Sequence, residues 1–235
     1  MINGPLAFSF FTLVHAAIAL LALRYVGELP AAALCLFLVE AVTAFDNAVT
    51  VAGNRLGINA RAERLNRARF FLHAVCIGLL VPVYTAIGIT LTDTGSWQPV
   101  LVTLGWVVTL GICIYGYAVQ YRGTRLIMPV NYYGCLRYAQ SVNEHSRHPG
   151  YDYSEVELAA RGHMPFASIV TTLVGLLVGL LLGVYGDFWV LFITTALMFL
   201  AGGFPLRTWG PFATSCLEVV FSGGLLYSLA IAAQG

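Results

Sequence analysis

The sequence contains no lysine: all 12 of its basic residues are arginines, set against 11 acidic ones for a net charge of +1. That balance gives no electrostatic ground for binding nucleic acid or an acidic partner, and we take the arginine bias as genomic composition. Charge of either sign is scarce. Only 10% of the 235 residues are charged and 59% are hydrophobic, against about 25% and about 45–50% in soluble domains. A chain this apolar cannot hide its hydrophobic surface in one water-soluble core; it needs lipid as solvent. Metal and disulfide spacings are missing too. Cys35, Cys76, Cys113, Cys135 and Cys216 form no CxxC and no Cys/His ligand pattern, which excludes disulfide-scaffold and zinc-finger readings. Four of them lie in apolar stretches and read as small buried hydrophobes. There is no GxSxG, Walker A, HExxH or dinucleotide fingerprint, so serine hydrolase, NTPase and zincin readings have no support. The opening residues, Met1 to Pro5, lack the basic region of a signal peptide, and the first apolar stretch is therefore read as a true span.

What is present is hydrophobic length. A window of about 19 residues predicts seven helices, at 5–24, 31–53, 68–91, 98–120, 165–184, 187–204 and 211–232. The expected fold is an all-α, polytopic membrane helical bundle forming one domain over residues 1–235. Pro30, Pro99, Pro165 and Pro211 stand at or near helix starts, where a missing N–H costs nothing. Gly95, Gly186, Gly202 and Gly203 punctuate short connections, and Trp97, Trp189 and Trp209 stand near span ends as interfacial anchors do. Placing the second–third, fourth–fifth and sixth–seventh connections in the cytoplasm puts 11 of the 12 arginines inside and leaves only Arg24 outside. The opposite connections carry Glu28, Asp93 and Asp187. The positive-inside rule thus predicts N-in and C-out, in an integral membrane protein of a bacterial cytoplasmic membrane. The longest soluble segment, about 121–164, is expected to be cytoplasmic, with a turn at His148-Pro149-Gly150. In it, Ser154 followed by Glu157 is a capping-box pattern, predicting a short helix to about Gly162. The Arg61–Arg69 stretch reads as a helical, basic lead into the third span. No internal repeat is visible, which weakens an inverted-repeat transporter reading.

Polar residues inside spans are the informative ones, because lipid cannot satisfy them. Glu40, Thr43, Asp46, Asn47, Thr50 and Asn54 recur on the second predicted helix and fall within an arc of about 120°. That face must look into the bundle or a water-filled cavity. Glu40 should lie near the bilayer midplane, with Asp46 nearer the cytoplasm. Two carboxylates at such depth are costly unless protonated, paired or bound to a cation. His15 and Glu218 stand at similar depths on the first and seventh helices. Arg69 and His73 share a face of the third; Arg69 could pair with Asp46 or Glu218, and His73 could bond either. Carboxylates with imidazoles suit a divalent cation or a proton relay. The structural alternative is interhelical hydrogen-bond glue. His15, His73 or His163 alone could also serve as an axial haem or chlorin ligand, a weak signal.

Two patterns read as structural. Gly175, Gly179 and Gly183 make a small-residue stripe on the fifth helix, for a contact inside the bundle or between copies. Glu144, His145, His148 and Asp152 cluster in the cytoplasmic segment, as loop composition often produces without a metal.

The stretch Val39-Glu40-Ala41-Val42-Thr43-Ala44-Phe45-Asp46-Asn47-Ala48-Val49 resembles the first signature of the tellurium-resistance TerC family, a glutamate, five residues, then Asp-Asn in an early transmembrane helix. Members of that family are multi-span proteins associated with metal-ion export, manganese in particular. The resemblance implies that Glu40, Asp46 and Asn47 are metal-site residues. Where the family's second signature has two acids around Phe-Ser, Leu217–Gly223 offers Glu218 alone, with Gly224 following.

The leading expectation is a transporter or channel-like protein for a divalent metal or protons. Glu40, Asp46, Asn47 and Glu218 would form the site, and His15, His73 and Arg69 would tune it or relay protons. The alternative is a non-catalytic subunit of a larger membrane complex, or a homo-oligomer, holding a lipid, quinone or pigment. Ranked last is an enzyme acting on a lipid head group, with Asp46 and His73 as acid/base pair and no nucleophile motif.

Overall fold

The computed structural model describes residues 3–92, 94–122, 126–162, 165–203 and 210–234. Asp93, Arg125, His163, Arg207 and Trp209 lie outside the described residues. Local chemistry sets the helix starts. Asn3 accepts a hydrogen bond from the Leu6 N–H, and with Pro5 in the first turn it opens α1, Gly4–Ala22. Pro30 opens α2, Pro30–Leu56, which stops at Gly57 with φ 70°. Asn59 then caps α3, Ala60–Cys76, by accepting from the Arg61 and Ala62 N–H groups. The basic lead into the third span is helical, as expected. Pro82 cannot donate to the Gly78 carbonyl, so the axis tightens into a 3₁₀ turn, Ile77–Leu79, before α4, Leu80–Leu91. α5, Gln98–Tyr115, continues into a π turn, Gly116–Tyr121. There Gly116 lies so close to the Ala74 carbonyl of α3 that a Cβ has no room.

The predicted cytoplasmic segment is more ordered than the sequence suggested. Strands β1, Met128–Tyr132, and β2, Cys135–Ala139, form an antiparallel hairpin, an addition to the expected all-α fold. Tyr133 (φ 53°) and Gly134 (φ 81°) are its two-residue turn, with the positive φ pair that matches strand twist. The Ser154–Glu157 capping box forms, but α6 runs only over Glu155–Ala159, because Ala160 is already extended. α7, Phe166–Gly186, ends at left-handed Asp187, and α8, Val190–Gly203, and α9, Gly210–Ala232, complete the chain.

Among the described residues six helical segments are long and apolar enough to cross a membrane: Gly4–Tyr25, Pro30–Leu56, Ala60–Leu91, Gly95–Tyr121, Phe166–Gly186 and Ala213–Ala232. The predicted sixth span differs. α8 has 14 residues, about 21 Å of rise against about 30 Å of hydrocarbon. It starts late because the chain must turn through Asp187 and Phe188. The outer surface is that of an integral membrane protein: on α1, Leu6, Leu13 and Leu20 are 65–70% exposed one above another.

The two ends of the bundle differ in character. At one end Phe8, Phe11, Val51, Cys216 and Val219 pack around Cys135 of the hairpin. At the other, Ala22, Ala32, Leu182, Leu191, Leu229 and Ala232 belong to one apolar core. α1 and α9 therefore start at the hairpin end, and α8, held between α7 and α9, returns toward it. Gly175, Gly179 and Gly183 face inward, onto the Tyr84 ring, the backbone at Phe192 and the Trp189 ring respectively. The stripe is a contact within the bundle.

Candidate functional site

The polar face of α2 divides into three tiers. In the deepest, the Glu40 carboxylate meets the His15 imidazole of α1, Oε2 to Nδ1 at 2.7 Å, with the side chains 2% and 0% exposed. An imidazole bonded to a carboxylate through Nδ1 is held in one orientation. Its Nε2 is buried with no hydrogen-bond partner among the described residues. The pair can therefore share a proton between Oε2 and Nδ1 and presents the second imidazole nitrogen to take one up or release it. Glu218 of α9, half-buried, lies within electrostatic reach of both, and of Asp46. Thr43 and Asn47 turn back on their own helix, bonding the Val39 and Thr43 carbonyls.

The middle tier is an ion-pair cluster. Arg69 of α3 donates from Nη1 to Asp46 Oδ1 at 2.7 Å and from Nη2 to the Tyr138 carbonyl at 2.9 Å. Arg137 of β2 approaches both Asp46 oxygens at 3.4 Å, its guanidinium 4.7 Å above the Tyr132 ring. Arg69 chooses Asp46, one of its two expected partners. Arg137 was legible only as one more loop arginine. His73 is exposed, within electrostatic reach of this cluster; among the described residues no hydrogen bond joins it to Asp46 or Glu218.

The third tier docks the hairpin. Asn54 donates to the Gly134 carbonyl and accepts from the Leu136 N–H, both at 2.6 Å, while Asn66 of α3 accepts from the Tyr138 N–H at 3.2 Å. Two side-chain amides thus stand in for a neighbouring strand along β2. Gly53 touches the Leu136 backbone too closely for any Cβ. Asn66 was missed by the sequence reading. Its available signal was its place one turn before Arg69, on the face that α3 turns toward α2.

Glu40, His15, Asp46, Arg69 and Glu218 are thus brought into one electrostatic neighbourhood, but as pairs. Among the described residues no three His, Cys, Asp or Glu side chains converge as a metal-ligand set, in the bundle or around Glu144, His145, His148 and Asp152. The His148 ring instead accepts the Gly150 N–H at 3.1 Å across the expected turn. A cation coordinated by Asp46 would have to displace Arg69.

Beside the cluster lies a cavity of about 310 Å³, walled by Arg69, His73, Gln120, Tyr132, Arg137 and Ser168 among others. Its floor is the hairpin, and the segment beyond the hairpin is stapled by protonation-sensitive bonds. Tyr151 donates to Glu157 Oε1 at 2.7 Å, and Ser154 donates to Oε2 through its N–H (2.9 Å) and hydroxyl (2.8 Å). The Tyr151 hydrogen bond, helped by Ser154, holds the Glu157 carboxyl below the usual carboxylate range, and the same bond pushes the Tyr151 phenol up to about 12. A depressed acid stabilises the fold above its unfolded value, 4.5 here, and that support is lost as pH falls through the folded value. A raised phenol loses its support as pH climbs above its unfolded value of 10.0. Amide protection factors over residues 141–160, corrected for the intrinsic pH dependence of exchange, should be flat between these limits and fall below pH 4.5; Glu157→Gln should remove the acid limb.

No family model, curated protein or solved structure matches this chain.

Proposed function

We propose that this chain is a transporter or channel-like protein of a bacterial cytoplasmic membrane, N-in and C-out, that moves protons through intramembrane carboxylates. The observation that carries the reading is the Glu40–His15 pair, both members buried in apolar helices and joined at 2.7 Å, with the second imidazole nitrogen unpartnered. Ionisable groups at such depth are expensive and are kept where they bind or relay. Glu218 is within electrostatic reach of the pair and of Asp46, and Asp46, held by Arg69, is in turn within reach of His73. The paired state of the carboxylates favours the proton over a divalent metal as cargo, which departs from the manganese export suggested by the TerC resemblance. Liposomes carrying the purified protein and a trapped pH dye, under an imposed potential, should acidify faster than empty ones, with no flux of manganese. Manganese flux without acidification would replace the proton by the metal. Neither flux would remove the reading.

A second reading, a membrane subunit holding a lipid, quinone or pigment, has one observation in its favour. A crevice of about 350 Å³ lies between α4, α5 and α7, lined by Val81, Thr85, Leu104, Val108, Val178 and Leu181. The fully buried Tyr84 also lines it, and its hydroxyl has no partner. Tyr84→Phe should leave stability unchanged or raise it by up to about 1 kcal/mol, since an unsatisfied hydroxyl is removed. A fall in melting temperature, with an amphiphile extracted from wild type but not the variant, would move the assignment to this reading.

A further inference from the structure

We propose that the cavity at the hairpin end is a binding site for a phosphate group, distinct from the Glu40–His15 pair. Charge is the first argument. Asp46 is shared between two guanidiniums, closely with Arg69 at 2.7 Å and loosely with Arg137 at 3.4 Å. One carboxylate cannot neutralise both. Among the described residues lining the cavity none is acidic, whereas Arg69, His73, Arg137, Gln120, Gln140 and Ser168 are all on its wall. Asp46 thus leaves one guanidinium charge over beside hydrogen-bonding side chains, with Glu218 of α9 the next carboxylate in electrostatic reach of Arg137.

Preorganisation is the second. Arg69 is 2% exposed and pinned by Asp46 and the Tyr138 carbonyl, with its Nε buried and unpartnered. Arg137 is braced against the Tyr132 ring at 4.7 Å. Guanidiniums held this way lose little freedom on taking an oxyanion, and their planar forks suit phosphate. Pro165, the N-cap of α7, and Ser168, in its first turn, also line the cavity, where the helix dipole favours an anion. At about 310 Å³ the space reaches the lower end of small-molecule sites.

Depth is the third. Phe71 meets Tyr117 and Tyr121 edge-on, and those two stack on each other, at the junction of α3 and the π turn, next in sequence to the cavity residues Phe70 and Gln120. Phe71 and Tyr117 are exposed there, the placement of an interfacial aromatic belt. A phosphate at this level arrives either on a phospholipid head group or free from solution.

Melting of the full-length protein in detergent, titrated with dioctanoyl phosphatidylglycerol, dioctanoyl phosphatidylcholine or inorganic phosphate, separates these sources. Saturable stabilisation by phosphatidylglycerol but not by phosphate assigns a lipid. Saturation by phosphate alone assigns a free anion, and both together assign the phosphate group itself. Arg137→Gln should weaken binding by about tenfold or more. Ser168→Glu should do the same while remaining folded, because a carboxylate suits the first turn of a helix. Binding as tight in Ser168→Glu as in wild type, stabilisation by phosphatidylcholine equal to that by phosphatidylglycerol, or no saturable stabilisation by any probe, would overturn the proposal.

Discussion

Asp46→Asn is expected to destabilise the protein by about 3 kcal/mol, the cost of breaking a buried ion pair from one side. The carboxylate holds Arg69 at 2.7 Å and Arg137 at 3.4 Å, so its loss leaves two guanidiniums facing each other without a counter-ion. Arg69 has nowhere to go: it is 2% exposed, and its remaining bond is to a backbone carbonyl of β2. The damage should appear in the hairpin as well as in the bundle, because Tyr138 and Arg137 belong to the same strand. Asp46→Leu combined with Arg69→Leu removes both charges of the close pair and should recover much of the loss. Thermal melts of the two variants decide this. A double variant no better than the single one would show that the pair is not what holds the hairpin down.

Gly179→Val should cost a similar amount, about 3 kcal/mol, at the upper end of what overpacking does. A Cβ at Gly179 would stand 2.6 Å from the Phe192 nitrogen and 2.7 Å from its Cα. Both atoms are backbone in α8 and cannot swing aside, so the helices must separate. Gly183 makes an instructive contrast. Its Cβ would meet the Trp189 ring at 2.6 Å, but that side chain is 40% exposed and free to turn outward. Gly183→Ala should therefore cost only about 1 kcal/mol. Gly223, with nothing within 4 Å of its Cβ position, should accept alanine without loss and gain helix propensity. Equal melting temperatures for Gly179→Val and Gly223→Ala would contradict the packing described here.

The bundle was legible because hydrophobic length and proline placement are local. α2 and α7 began within a residue or two of their predicted starts, where Pro30 and Pro165 stand. α8 begins three residues after its predicted start because apolar composition does not register that Asp187 ends α7 in a left-handed conformation. The hairpin was missed for another reason. Its strands, Met-Pro-Val-Asn-Tyr and Cys-Leu-Arg-Tyr-Ala, are short and lack a conventional turn pair. What fixes them is tertiary: the Asn54 and Asn66 amides, which satisfy N–H groups of β2. At the site, helical period located the polar face and depth suggested His15, but neither gives the rotation of α1 against α2 on which the Glu40–His15 contact depends. Arg137 was beyond reach without the hairpin that carries it back to Asp46.

The most direct measurement is proton flux into liposomes for wild type and Glu40→Gln, both checked for equal melting temperature. Glutamine keeps a hydrogen-bonding group beside His15 Nδ1 but cannot exchange a proton. Flux in the variant should fall by about 100-fold or more, the usual loss when a positioned acid or base is removed. Flux equal to wild type in a folded Glu40→Gln protein would contradict it and leave the Glu40–His15 pair as a strut between α1 and α2.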